Sequence, residues 1–197
     1  MNTMKILTRD DLYSLERYAQ VRLQMRAQVQ EHKKNRKVEV GPHATLYFED
    51  RLTMQYQIQE MLRVERVFEA EGIQDELNTY NPMIPDGTNL KATFMLEYPD
   101  VDERRLALAQ LKGIEDRVWV KVHGHDPVWA IADEDLAREN AEKTSAVHFL
   151  RFEFTPAMIA ATKQGGSMSI GIDHPACQYA VEPLPVAVRA ALVADID

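Results

Sequence analysis

Hydrophobic positions are most regular between residues 51 and 68, where they recur at the spacing of an α-helix. Asp50 directly precedes this segment, and its carboxylate can accept hydrogen bonds from the free N–H groups of the first turn, so it is the expected N-cap. At about 100° per residue, one side of the helix carries the apolar residues. The predicted core-facing stripe consists of Met54, Ile58, Met61, Leu62, Val64 and Phe68.

Polar side chains of this helix are the first candidates for a binding role. Glu65 falls inside the apolar stripe, where a desolvated carboxylate requires a cation, hydrogen-bond donors or a proton. It is therefore either a functional carboxylate or half of a structural ion pair, with Arg22 or Arg26 of the preceding helix as a partner. The opposite side can bind a partner or an anion, although it also has the character of a solvated helix face. This polar strip consists of Gln55, Gln59, Arg63 and Arg66.

The segment from Thr8 to about Lys34 predicts a long first helix. Thr8 is the expected cap, and acids follow it in the first turn. A basic run ends the helix, where cations offset the negative end of the helix dipole. The alternative is a site for RNA or another anion. This run consists of His32, Lys33, Lys34, Arg36 and Lys37 around Asn35.

Strand patterns are concentrated in the second half of the chain. From Leu90 to Tyr98 the apolar residues dominate the even positions, as in a strand with one buried face. Two strands around a Gly-His-Asp turn predict a hairpin in which Trp119 can face Trp129. The other predicted strands are residues 38–40, 45–48, 144–154, 167–172 and 177–181. The other predicted helices are residues 100–112, 133–143, a short helix after Thr155, and 185–193.

These elements predict the α+β class, with a helical N-terminal portion packed on a mostly antiparallel or mixed sheet of about five to seven strands. The chain divides into helix-rich residues 1–84, strand-rich residues 88–183 and a C-terminal helix over 185–194. A loop with two prolines and an Asp-Gly turn, residues 78–89, separates the first two parts. A length of 197 residues favours one domain over 1–197.

Composition excludes several function classes. A formal net charge of −8 repels polyphosphate, so nucleic-acid binding is not expected. The apolar runs are too short to span a membrane and the first residues lack the apolar core of a secretory signal, which predicts a cytoplasmic protein with no membrane role. Because Cys177 is the single cysteine, this chain has no disulfide or four-cysteine metal site of its own.

Histidines supply the candidate for metal chemistry. His123 and His125 are two residues apart, so on an extended segment their imidazoles project to the same side and can share a divalent metal ion. His148, on the apolar face of its strand, and His174, at a strand end, can each supply a further ligand. The alternative interpretation is that His148 is a neutral core imidazole and the others are turn residues.

Motifs of the common enzyme classes do not occur in the sequence. We find no glycine-rich phosphate loop, dinucleotide fingerprint, Gly-x-Ser-x-Gly elbow, His-Glu-x-x-His or paired Glu-x-x-His motif. Whether the protein is an enzyme therefore stays open at this level.

Five segments carry a resemblance to a known family. They are EHKKNRKVEVGPHATLYFEDRLTMQYQIQEMLRVERVFE, NPMIPDGTNLKATFMLEYPD, GIEDRVWV, IADEDLARE and KTSAVHFLRFEFTPAMIAA. Over nearly its whole length the chain resembles a bacterial family catalogued as a domain of unknown function. Genes of that family often lie near those of rubrerythrin-like proteins and iron–sulfur oxidoreductases. The resemblance implies a role beside peroxide or electron-transfer chemistry and supplies no catalytic residues.

Two functional hypotheses follow from the sequence. The first is an accessory or binding protein that docks on a redox-protein partner, in a peroxide-stress or iron–sulfur system, through the polar strip and Glu65. The second is a metal-binding protein or metal-dependent enzyme whose ligands include His123, His125 and His148.

Overall fold

The computed structural model describes residues 6–134 and 142–197. Its α-helices are Leu15–Lys33 (α1), Arg51–Glu65 (α2), Ala70–Tyr80 (α3), Val101–Gln110 (α4), Pro156–Lys163 (α5) and Val186–Val193 (α6). Its strands are Lys37–Glu39 (β1), Ala44–Phe48 (β2), Asn89–Leu96 (β3), Val118–Val122 (β4), Val128–Trp129 (β5), Ile131–Ala132 (β6), Val147–Glu153 (β7), Met168–His174 (β8) and Cys177–Val181 (β9). Short 3-10 helices are Arg9–Asp11, Asn81–Met83 and Ile114–Arg117.

The strands form two antiparallel sheets, of five strands in the order β1-β2-β3-β7-β6 and of four in the order β5-β4-β8-β9. The chain passes from the second sheet to the first at Ala130, the residue between β5 and β6. Apolar side chains of both sheets, including Phe94, Phe152, Val120 and Ile170, belong to one core. The α+β class is confirmed. The expected sheet of five to seven strands is two sheets instead, because alternation shows that a strand has a buried face but not which strand it pairs with.

Helices α1, α2 and α3 pack largely on one another in the N-terminal part of the chain. Met54, Ile58 and Leu62 of α2 contact Leu77 of α3 in one apolar cluster, while Tyr18, Met25 and Val29 of α1 form another. The predicted helix-rich portion is therefore present. The expectation of a single domain stays a prediction.

Strand predictions based on alternation hold well. In β3 the even-numbered residues are buried, and β7 turns His148, Leu150 and Phe152 inward. Trp119 of β4 lies directly opposite Trp129 of β5, as the hairpin pattern predicted. The helix predicted over residues 133–143 lies mostly outside the described residues.

The start of α2 follows the sequence prediction. Asp50 caps the helix, and its Oδ1 accepts a hydrogen bond from the Thr53 backbone N–H at 2.9 Å. The three buried apolar residues of the helix are Met54, Ile58 and Leu62.

The end of α2 departs from the prediction. The helix ends at Glu65 because Arg66 adopts a left-handed conformation with φ of 56°. The chain then turns away, and Phe68 is 71% exposed. Val64, in the last turn of the helix, is 63% exposed. Glu65 is exposed too, and its expected burial is wrong.

A different carboxylate of α2 takes the arginine expected for Glu65. Glu60 accepts hydrogen bonds from Arg22 Nε at 2.7 Å and Nη2 at 2.8 Å, and from the Tyr18 hydroxyl at 2.7 Å. The Arg22 hydrogen bonds are the main cause that lowers the pKa of Glu60 to about 2, with burial opposing them. This ion pair joins α1 to α2.

The predicted first helix is interrupted near its beginning. Thr8 precedes a 3-10 helix, and α1 begins only at Leu15, with the Ser14 hydroxyl accepting from the Arg17 N–H at 3.3 Å. The chain between the two helices is held by α2: Gln59 Oε1 accepts from the Tyr13 N–H at 2.6 Å. Propensity favours helix across this segment, and the contact with α2 overrides it.

The basic run after α1 has a structural role at Arg36. This side chain is 2% exposed, and its guanidinium donates to the Asp195 carboxylate. Arg36 Nη2 also lies 3.3 Å from Asp50 Oδ2, and His32 Nε2 lies 2.5 Å from the same oxygen. The cluster ties the C-terminal segment to the start of α2, so the Arg36 guanidinium, which the alternative anion site would have used, is engaged inside the fold.

The free energy of unfolding should fall as the pH rises from about 4 to about 7, because Asp195 loses its proton in the folded state over this range. Burial raises the pKa of Asp195 to about 7, with Arg36 opposing this effect and Asp50 adding to it. The unfolded carboxyl titrates near about 4, so only the folded state holds a proton between the two values. That contribution is complete below about pH 4 and is lost by about pH 7, and the slope between them is at most about 1.4 kcal/mol per pH unit.

Urea denaturation between pH 4 and 8 tests this expectation. Asp195→Asn should flatten the profile in this window. Asp173→Asn is the matched control, because the Asp173 side chain is 51% exposed and pairs with Arg117 at the surface. A profile for Asp195→Asn that parallels that of the unmodified protein would contradict the assignment.

Candidate metal centre

Three separate elements bring Glu115, Asp133 and His148 together. Glu115 lies in the 3-10 helix that leads into β4, Asp133 follows β6, and His148 lies on the inner face of β7. Because β6 pairs with β7, Asp133 reaches β7 beside His148. One ligand-type atom from each side chain lies within 4.8 Å of the other two. His148 is fully buried, and Glu115 is 7% exposed.

The Asp133 carboxylate is oriented by backbone contacts. Asp133 has a positive φ of 49°, which an aspartate tolerates better than most residues do. Its N–H donates to the Phe149 carbonyl at 2.8 Å, and its Oδ1 accepts from the Phe149 N–H at 2.9 Å. Its Oδ2 then lies 2.5 Å from His148 Nδ1. The carboxylate therefore orients the imidazole.

The other ring nitrogen of His148 is surrounded by oxygen atoms. Nε2 lies 3.0 Å from the Thr144 hydroxyl, 3.0 Å from the Ser145 carbonyl and 3.8 Å from Glu115 Oε2. The Thr144 hydroxyl lies 3.2 Å from Glu115 Oε2, to which it can donate. A positive group at Nε2 is therefore well matched to its surroundings.

Hydrogen-bond chemistry allows three states of this cluster. An imidazolium can donate to Asp133 from Nδ1 and to Ser145 from Nε2. A neutral ring with its proton on Nε2 requires a protonated Asp133. In the third state the ring carries its proton on Nδ1, and the Nε2 lone pair faces the Ser145 carbonyl and the Glu115 carboxylate. In that state the lone pair can accept a hydrogen bond from the Thr144 hydroxyl at 3.0 Å or bind a cation, as in carboxylate–histidine–metal sites.

The histidines predicted from sequence are not brought together. His123 and His125 lie in the turn after β4, whereas Glu115 precedes β4, so an extended strand of roughly 15 Å separates them from the cluster. Within the described ranges, neither belongs to a group of three ligand-type side chains. The structure does not bring His123 and His125 together with His148, because they lie at the far end of β4.

His174 is engaged elsewhere. Its Nε2 lies 3.0 Å from the Lys112 carbonyl, and its Nδ1 accepts from the Ala176 N–H at 3.2 Å. Both nitrogens are satisfied by backbone groups in a neutral ring. The alternative interpretation of His174 as a turn residue ahead of Pro175 agrees with this arrangement.

The polar strip on α2 is divided by the fold. Gln59 is fully buried, and its amide bonds both the N–H and the carbonyl of Tyr13. Gln55 donates to the Asp11 carbonyl at 2.6 Å. Both amides thus hold the N-terminal segment, because it crosses the face that helix periodicity alone assigns to solvent. The exposed members of the proposed binding set are Arg63, Glu65 and Arg66.

Sequence reasoning identified His148 but not Glu115 or Asp133. The apolar neighbours of His148 on an alternating strand indicated a buried imidazole, which must find hydrogen-bond partners. Nothing in the sequence assigned those partners, because they lie 33 and 15 residues before His148 in the chain (148 − 115 and 148 − 133).

The fold and the site define an α+β protein with two antiparallel sheets and a buried carboxylate–histidine cluster where the sheets meet. Residues 6–196 match the family described as "Protein of unknown function (DUF3501)", and the chain belongs to this family.

A crystal structure from Burkholderia pseudomallei, described as a novel protein of unknown function, is similar to this chain with a TM-score of 0.93. The two are 53% identical, over 98% of this chain and 100% of the other. No protein among the curated ones matches the sequence. In the described part of the chain, no helix is both long enough and apolar enough to cross a bilayer.

Proposed function

We propose that this protein binds one divalent cation through Glu115, Asp133 and His148. The observation that carries the proposal is the environment of His148 Nε2, where a carboxylate, a hydroxyl and a carbonyl converge within 3.8 Å. His148 and Glu115 would bind the ion directly, with Thr144 and Ser145 adding oxygen ligands. Asp133 would fix the imidazole tautomer from the other side.

Charge favours a divalent ion over a proton alone. With a neutral imidazole, the two carboxylates give the cluster a formal charge of −2, which an imidazolium reduces to −1 and a divalent ion cancels. Buried charges are costly unless they are paired, so neutrality is an advantage at a site this deeply enclosed. One imidazole with several oxygen ligands suits zinc, manganese or ferrous iron better than calcium or magnesium.

Enclosure indicates what the ion would do. The His148 side chain is 0% exposed and those of Asp133 and Glu115 are 8% and 10% exposed, so a substrate has little access to the ion. The ion would instead connect the 3-10 helix before β4, the end of β6 and the inner face of β7. We therefore infer a cation-stabilised accessory protein and not a metal-dependent hydrolase.

Docking on a redox partner, in a peroxide-stress or iron–sulfur system, stays a prediction from the family resemblance. Its support in the fold is the exposed end of α2, where Arg63, Glu65 and Arg66 are accessible. A partner with an acidic rim would suit the two arginines. A cytoplasmic location is likewise a prediction.

Metal analysis of tag-free protein tests the cation proposal. After removal of metals with a chelator, zinc or manganese should bind with about one ion per chain and raise the thermal midpoint, because an ion that binds only the folded state stabilises it. Glu115→Gln should weaken binding at least tenfold, since it removes one charged ligand and preserves shape.

The matched control is the double substitution His123→Ala and His125→Ala, which removes the other candidate ligands from an exposed turn. It should leave the stoichiometry and affinity unchanged. If the double histidine variant loses the ion while Glu115→Gln still binds it, the ion is bound at the turn and not at the buried cluster. Folded protein that takes up no zinc, manganese or ferrous iron would end the proposal.

A further inference from the structure

A cleft of about 530 Å³ lies on the outer face of the first sheet. Its walls are the C-terminal end of α3, the 3-10 helix Asn81–Met83, and outward side chains of β3 and β7. Its volume falls within the usual range for small-molecule sites. Strand β7 contributes to both sites: His148 points inward to the cation cluster, while Phe149 and Arg151 line the cleft.

The cleft combines an apolar wall with two cationic side chains. Pro82, Met83 and Phe149 provide apolar surface, and Lys91 and Arg151 provide the charges. Ligand sites commonly have this composition, with a few polar groups that orient a largely apolar molecule.

The two cations differ in how well they are satisfied. Arg151 donates to Glu134 through Nε and Nη2, each at 2.8 Å, and to Glu153 through Nη1. Two carboxylates therefore neutralise this guanidinium. It forms part of the wall and is not available to a ligand.

Lys91 is the unsatisfied cation of the cleft. Its Nζ donates to the Pro82 carbonyl at 2.5 Å, and it forms no ion pair within the part of the chain that the structure describes. Because an ammonium carries three N–H donors, two remain for another molecule. Burial lowers the pKa of Lys91, while the carboxylates of Asp86, Glu134 and Glu153 act in the opposite direction without forming an ion pair with it.

We propose that this cleft binds a small organic monoanion, a carboxylate with an apolar body. The ligand carboxylate would pair with Lys91, and its apolar part would pack on Phe149, Met83 and Pro82. A single ammonium matches one negative charge, and the nearby Glu134 disfavours a dianion such as phosphate. The site is separate from the cation cluster and does not depend on it.

A matched series of probes tests the charge requirement. The probes are 4-phenylbutyrate, 4-phenylbutan-1-ol and 4-phenylbutylamine, which share one apolar body and differ in the charge of the head group. In titrations followed by amide chemical shifts, the acid should bind at least tenfold tighter than the alcohol or the amine. The shifted amides should fall in residues 78–83, 89–96 and 147–153.

Substitution of the lysine tests the contact itself. Lys91→Met keeps the length and apolar surface of the side chain, and should remove the preference for the acid over the alcohol. Lys121→Met is the control, because Lys121 is exposed on β4 of the other sheet. It should leave the preference intact.

The probe series with the unmodified protein is decisive even if Lys91→Met does not fold. Equal binding of the acid and the alcohol, or shifts located outside the cleft, would refute the proposal. The titrations are made on metal-free and on metal-loaded protein, so a failure of the cation site is distinguishable from a failure of the cleft.

Discussion

Replacing Phe152 by alanine should lower the free energy of unfolding by about 3 to 5 kcal/mol. Phe152 lies on the inner face of β7 and is fully buried, with its ring centroid 6.4 Å from that of Phe48. Its removal leaves a cavity in the core that both sheets share, because backbone pairing of β7 with β3 and β6 prevents the space from closing. Urea denaturation at neutral pH measures the change.

Phe68→Ala is the matched control for this substitution. The same chemical change is made at a side chain that is 71% exposed after the end of α2. It should alter stability by less than about 1 kcal/mol. Similar losses at the two positions would show that Phe68 packs in the core after all, as helix periodicity had predicted.

Arg36→Met should destabilise the protein by about 3 to 5 kcal/mol, the range expected when one partner of a buried ion pair is removed. Methionine nearly preserves the volume, so the loss reports charge and hydrogen bonding. The Asp195 carboxylate would lose its guanidinium at 4% exposure, and Asp50 would keep only His32 and the backbone of α2. Thermal and urea denaturation at pH 7 both measure the effect.

Two further variants isolate the cause of this loss. Lys34→Ala removes an exposed cation, paired with Glu31 at 2.5 Å, from the same basic run and should change stability by less than about 1 kcal/mol. The double variant Arg36→Met with Asp195→Asn should recover part of the loss, because it replaces the buried carboxyl that has lost its guanidinium with a neutral amide. If the double variant is no more stable than Arg36→Met, the loss arises from packing and not from an unpaired carboxylate.

Local features of the fold could be predicted from the sequence. The Asp50 cap, the inward positions of β3 and β7 and the register of Trp119 with Trp129 each depend on residues close together in sequence. Caps and strand faces are set by hydrogen bonding and alternation within a few residues. These predictions were therefore confirmed in detail.

The end of α2 was not predictable by the same reasoning. The apolar period continues past Glu65 to Phe68, and no glycine or proline interrupts it. The left-handed conformation of Arg66 ends the helix, and a non-glycine residue gives little warning of that conformation. Glu65 is still helical, but it lies in the final turn, beyond Leu62, the last buried residue of the helix.

Contacts across the chain divided the candidate site residues. Helix periodicity placed Gln59 on a solvent face, but the interrupted N-terminal segment covers that face and the amide bonds Tyr13. His123 and His125 are two positions apart, yet the cluster of Glu115, Asp133 and His148 forms at the opposite end of β4. Spacing in sequence describes one element at a time and contains no information on which elements meet.

The sequence by itself determined the α+β class, the single cysteine, the acidic charge and the inward orientation of His148. These properties follow from composition and from hydrogen bonding and burial along a single element. The tertiary structure decided that the strands form two sheets, that Glu115 and Asp133 meet His148, and that Lys91 lies half-buried with no ion pair to another described residue. Each of these depends on pairing between distant segments, where the free energy of many contacts outweighs local preference.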